Sequence, residues 1–136
     1  KEKFKLKNVI PLRMAIGNEY GTTHISVPEF EDSRATISED GEKVPITKLD
    51  DFVKINGIKK VDFIKIDVEG FEKNVILGGL RTIKKFKPAI LMEISEENLK
   101  KFYLTPEDIK KMMAHLGYKG IEQEGGRDYL FVKWKK

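Results

Sequence analysis

Three acidic residues carry most of the chemistry this chain can offer: Asp67 and Glu69, spaced as Asp-x-Glu, and Glu93 farther along. Carboxylates brought together can take a proton, face a cationic group or bind a divalent ion. Asp67 ends an apolar run, where an unpaired carboxylate would be costly to bury. It therefore serves a ligand, caps the helix that follows or pairs with a nearby lysine. Glu69 falls at the start of that helix, where the helix dipole stabilises a negative charge by about 0.3–1 kcal/mol, so ligand binding and simple capping both fit. Glu93 lies in an otherwise apolar run and must reach a sheet end or a partner. Glu72, one turn into the helix, reads as part of a solvated face. His24, in a β-branched run, and His115, near a helix end that favours a cation, read as structural. Tyr103 and Trp134 either line a pocket or, by default, pack in the core.

These residues need a frame, and Val61–Glu93 supplies one. Val61, Phe63, Ile64, Ile66 and Val68 fall on both faces of an extended run, the pattern of a strand covered on both sides. Gly70 breaks the run. Phe71, Val75, Ile76, Leu80, Ile83 and Phe86 then recur at helical spacing, with Gly78-Gly79 marking close packing or a break. Pro88 stops the helix, and Ala89–Ile94 is a second short apolar run. Strand, helix, strand with this spacing predicts a βαβ unit with two parallel strands. Asp67, Glu69 and Glu93 then converge beyond the C-terminal strand ends, where open parallel sheets bind ligands.

IKIDVEGFEKNVILGG followed by KPAILMEI resembles the FkbM family of S-adenosylmethionine-dependent methyltransferases. There a strand ending K-I-D-V-E-G, then a Glu and a Leu-x-Gly, precedes a P-x-I-x-x-E strand. VPITKLDDFV and NVIPLRMAIGNEYGT resemble the segments leading into that unit, and together these pieces cover roughly the first two thirds of the chain. The resemblance implies an α/β fold: a Rossmann-like, mostly parallel methyltransferase sheet with a C-terminal antiparallel hairpin, truncated at its N-terminus. It implies methyl transfer from S-adenosylmethionine to an oxygen of a small molecule or glycan. Asp67 would be the general base or hold the sulfonium end of the donor, with Glu69 and Glu93 beside it, and Ala15 and Ile16 would contact the adenine. No G-x-G turn precedes Val9, so the expectation is that this chain alone binds the donor weakly or not at all. The open edge of the first strand would be covered by Asn8–Ile16, by Thr22–Val27 or by a second chain in a homodimer.

Composition bounds the alternatives. The 136 residues suit one domain, and an apolar share of 40% with 10% aromatics is that of a globular protein. No apolar run approaches membrane-spanning length and there is no signal-peptide pattern, so the reading is soluble and cytoplasmic, without a membrane partner. Cysteine is absent, which excludes disulfides and thiolate chemistry. The charge is +4, but acids and bases interleave and only four of the 26 basic residues are arginine, which argues against a nucleic-acid partner. Two other function classes stay open. Asp67, Glu69 and Glu93 with Mg²⁺ would suit a metal-dependent phosphoryl hydrolase, though no P-loop, Walker lysine or His/Cys cluster accompanies them. The fold could also serve as a non-catalytic binding or assembly module.

The remaining elements read in order. Asn8–Ile16, interrupted by Pro11, and Thr22–Val27 are expected strands forming a hairpin-like pair across Gly17–Gly21. Pro28–Gly41 reads as an exposed loop. Lys43–Leu49 is a strand, and Leu49–Ile55 is a helix ended by Asn56-Gly57. Thr105-Pro106-Glu107-Asp108 is a capping box opening a helix that buries Ile109, Met112, Met113 and Leu116 and ends at Gly117. Lys119–Glu124 and Asp128–Trp134 form a hairpin across Gly125-Gly126.

Overall fold

The computed structural model describes residues 6–26 and 36–134. Residues 6–14 have no regular structure, and β1 (Ala15–Gly17) follows. β2 (Gly21–Ser26), β3 (Thr36–Ile37) and β4 (Glu42–Lys48) complete one sheet in the order β1-β4-β2-β3. Helix α1 (Leu49–Ile55) leads to a second sheet. There β5 (Phe63–Ile66) is followed by α2 (Glu72–Gly78), α3 (Leu80–Phe86) and β6 (Ala89–Glu93). α4 (Glu96–Lys100) and α5 (Pro106–His115) precede β7 (Tyr118–Glu122) and β8 (Asp128–Lys133), and the order is β5-β6-β8-β7.

The βαβ unit forms as its periodicity predicts. β5 and β6 pair in parallel from Phe63 opposite Ala89 to Ile66 opposite Met92. Val75, Ile76 and Ile83 are buried with Ile66, Ile90 and Met92 in the main core, which α5 closes with Ile109 and Met113. The capping box at Thr105–Asp108 is complete, so α5 starts where its sequence directs. Tyr118 donates to the Pro88 carbonyl at 2.7 Å and ties β7 to the entry of β6.

The sheets are mixed, which corrects the expectation of a mostly parallel one. Among the described residues only β1 with β4 and β5 with β6 run parallel; the other pairings are antiparallel. A parallel pair needs a long crossover, and only the α2–α3 segment supplies a helical one; β7 and β8 are joined by a tight turn instead. The expected pair of early strands is also corrected. β1 is confined to Ala15–Gly17, and β4 lies between it and β2, because Val44 and Ile46 of β4 make the small core of this sheet with Ala15. Val27 of the expected second strand and residues 28–35 of the expected loop lie outside the described residues, and Thr36–Ile37 is a strand.

Neither early strand reaches β5. It stands at the end of its sheet, so Phe63 is 53% exposed and Lys65 faces solvent. The doubly covered strand expected over Val61–Val68 is therefore a short edge strand. The helix expected over Phe71–Phe86 is also two helices. Gly79 ends α2 and precedes α3, and Asp50 of α1 supplies the missing cap. Its carboxylate accepts from the N–H groups of Arg81 (3.1 Å) and Thr82 (2.8 Å) and from the Thr82 hydroxyl. This satisfies donors that a glycine cap leaves orphaned.

Candidate functional site

Parallel pairing sets the C-terminal ends of β5 and β6 side by side, with Asp67 following one and Glu93 ending the other. Carboxylate oxygens of Asp67, Glu69 and Glu93 lie within 4.8 Å of one another. The three acids named from the sequence thus form one cluster.

The turn between β5 and α2 makes this possible. Glu69 has φ +51° and Gly70 φ +105°, a left-handed excursion that reverses the chain within two residues. Phe71 donates back to the Val68 carbonyl at 3.2 Å. A side chain at Gly70 would strike the Asn98 carbonyl and the Phe102 ring. Asn98 also donates from Nδ2 to Glu69 Oε2 at 2.6 Å, which fixes the direction of that carboxylate. Ser95 caps α4 by accepting from the Asn98 N–H at 3.4 Å, so the short helix holds Asn98 in place.

The cluster is electrostatically crowded. Burial, first of all, raises the Glu93 carboxyl above its ordinary range. The charge of Asp67, a hydrogen bond with Asp67, and the charges of Glu69 and Asp128 add to it. A glutamate raised in the fold contributes stability below its unfolded value near 4.5, and that contribution is lost as pH rises through the folded value. Glu93→Gln is therefore expected to gain stability relative to the parent as pH rises above that window. Denaturant midpoints measured from about pH 4 to pH 8 check this, and a constant gap between the two proteins would exclude the crowding.

Beside the cluster is a cavity of about 340 Å³ between β1 and β5. Its wall is largely apolar: Met14, Ala15 and Ile16 on one side, Ile64 and Ile66 on the other, with Phe71 and Val75. Lys65 and Asp67 are the charged residues lining it. Asp67 therefore belongs to both the cavity and the acid cluster, and Ala15 and Ile16 share the cavity with it. Glu69 and Glu93 do not line it.

Other readings change. Glu72 is not on a solvated face: it is 3% exposed, and its Oε1 accepts from the Gly70 N–H at 3.2 Å. The signal was present, because position 72 shares one helical face with Val75 and Ile76. Asn98 had only the Ser95-x-x-Asn98 cap to mark it, which says nothing of Glu69. Tyr103 is 97% exposed, and Trp134 is exposed beneath Lys119, so neither is core. His24 does not line the cavity, and His115 occupies the last turn of α5. Gly78 and Gly79 serve close packing and a helix break.

Among the described residues no helix is long and apolar enough to cross a membrane. No curated protein and no solved structure matches the chain. Residues 4–119 match the family described as the methyltransferase FkbM domain, so the match extends past the central unit into β7. With acids at adjacent parallel strand ends and a match over most of its length, the chain belongs to the FkbM methyltransferase domain family.

Proposed function

We propose that this site serves methyl transfer from S-adenosylmethionine to a hydroxyl oxygen of a small molecule or glycan. One observation carries the reading: Asp67 lies both on the wall of an apolar cavity and within a cluster of carboxylates. Such a site suits a ligand with a flat apolar body and a cationic centre. S-adenosylmethionine, when bound, supplies a methyl group activated on a sulfonium. Ala15, Ile16 and the β5 isoleucines would hold its adenosyl part, Lys65 its carboxylate, and Asp67 its cationic end. Asp67 then has two duties within reach of one another. It faces the positive donor, and it accepts the proton of the incoming hydroxyl as general base, worth a factor of about 10²–10⁴. Asn98 orients Glu69, and the Glu93 carboxylate lies beside that of Asp67, so the acids are grouped before the acceptor arrives.

Titration with S-adenosylhomocysteine, followed by amide NMR, tests this even where affinity is low. Shifts are expected at Ala15, Ile16, Lys65, Asp67 and Val68. Shifts at Asp67, Glu69 and Glu93 with Mg²⁺ alone would favour the metal-dependent hydrolase. Silence with both would leave a binding or assembly module. The edge of β5, unpaired among the described residues, further supports pairing of two chains, which would appear as a dimer mass in light scattering.

A further inference from the structure

We propose that Glu72 is a positioning residue. Its buried carboxyl holds the Asp67–Gly70 turn in the conformation that sets Asp67 and Glu69 against Glu93. The inference concerns the geometry of the cluster, and it rests on the methyl-transfer reading only for its effect on turnover.

The turn does not hold itself. Glu69 occupies the left-handed region, which a residue with a Cβ rarely adopts unless its surroundings enforce it. Two contacts do so from opposite sides. Outside, Asn98 grips the Glu69 carboxylate and its carbonyl backs Gly70. Inside, Glu72 Oε1 accepts from the Gly70 N–H in a buried bond of 3.2 Å. Without an acceptor at position 72 that N–H would be left buried and unpaired.

Glu72 is an expensive way to supply the acceptor. Its Oε2 is buried with no hydrogen-bond partner among the described residues. Burial foremost, with the charge of Asp67 adding, pushes its carboxyl above the usual range despite the lowering pull of backbone N–H groups. An apolar side chain of the same length would remove the cost of the unpartnered oxygen. It would also release Gly70. The carboxyl at position 72 thus costs folding stability and constrains the one turn from which two of the three acids project.

Hydrogen exchange by NMR on the whole chain tests the clamp, using the parent, Glu72→Gln and Glu72→Met. In the parent the Gly70 amide is expected to be protected. Gln keeps an oxygen that can accept the bond, so protection should survive. Met removes it, and Gly70 should exchange at least about tenfold faster while Ile90 and Met92 on β6 keep parent rates. The amide–Hα coupling of Glu69 should leave its left-handed value in the Met variant alone. A Gly70 amide unprotected in the parent, or protected equally in Met, overturns the proposal. So does equal acceleration at Gly70, Ile90 and Met92, which would mean general destabilisation. If the Met variant does not fold, the parent and Gln rates decide, and a tenfold loss of Gly70 protection in Gln counts against the clamp. Under the methyl-transfer reading kcat should fall in Met and persist in Gln. A released Gly70 with undiminished kcat would refute the role of the cluster in turnover and leave the clamp standing.

Discussion

Asp67→Asn is expected to lower turnover by about 10²–10⁴-fold while leaving donor affinity little changed. Asparagine keeps the shape and one acceptor oxygen but cannot take the proton of an acceptor hydroxyl. The charge beside the donor falls, yet Glu69 and Glu93 remain close by, so the cationic end keeps acidic neighbours. Steady-state rates and donor calorimetry, measured separately, check the split. Equal turnover in mutant and parent would remove Asp67 from the chemistry. A loss of affinity that accounts for the whole loss of rate would make it a donor ligand instead.

Gly78→Ala is expected to be among the most destabilising single methyl additions in the chain. The new Cβ would collide with the Gly17 carbonyl oxygen and crowd its carbonyl carbon. Both are backbone, so no rotamer change relieves the overlap, and α2 must separate from β1. Overpacking of this kind costs about 3 kcal/mol or more, against a gain of up to about 1 kcal/mol in helix propensity. A Tm fall of about 8 °C follows for a domain of this size. Gly17 adjoins Ala15 and Ile16, so one wall of the cavity should move with it and ligand shifts at those residues should weaken. Gly79→Ala is the control: its Cβ would meet the flexible Leu49 side chain, and the effect should be milder. An unchanged Tm for Gly78→Ala would mean that α2 and β1 are not in contact.

Local sequence determined the parts of this protein whose partners are near in the chain. The spacing of Phe71, Val75, Ile76 and Ile83 made a helical return, Thr105 and Asp108 started α5, and Gly125-Gly126 turned β7 into β8. Because β5 and β6 are joined by that return, their parallel pairing placed Asp67 and Glu93 together, and the acid cluster was legible from strand ends alone. Tertiary structure decided the rest. Burial of Glu72 depends on which helical face the sheet covers, and the grip of Asn98 on Glu69 depends on where α4 folds back. Whether β5 is central or an edge depends on which other strand competes for its side. Ala15, Val44 and Ile46 settled that by packing with one another, which drew β1 to β4 and left a cavity where a strand was expected. Strand pairing at long separation follows from the burial it permits, and no window of sequence holds both partners.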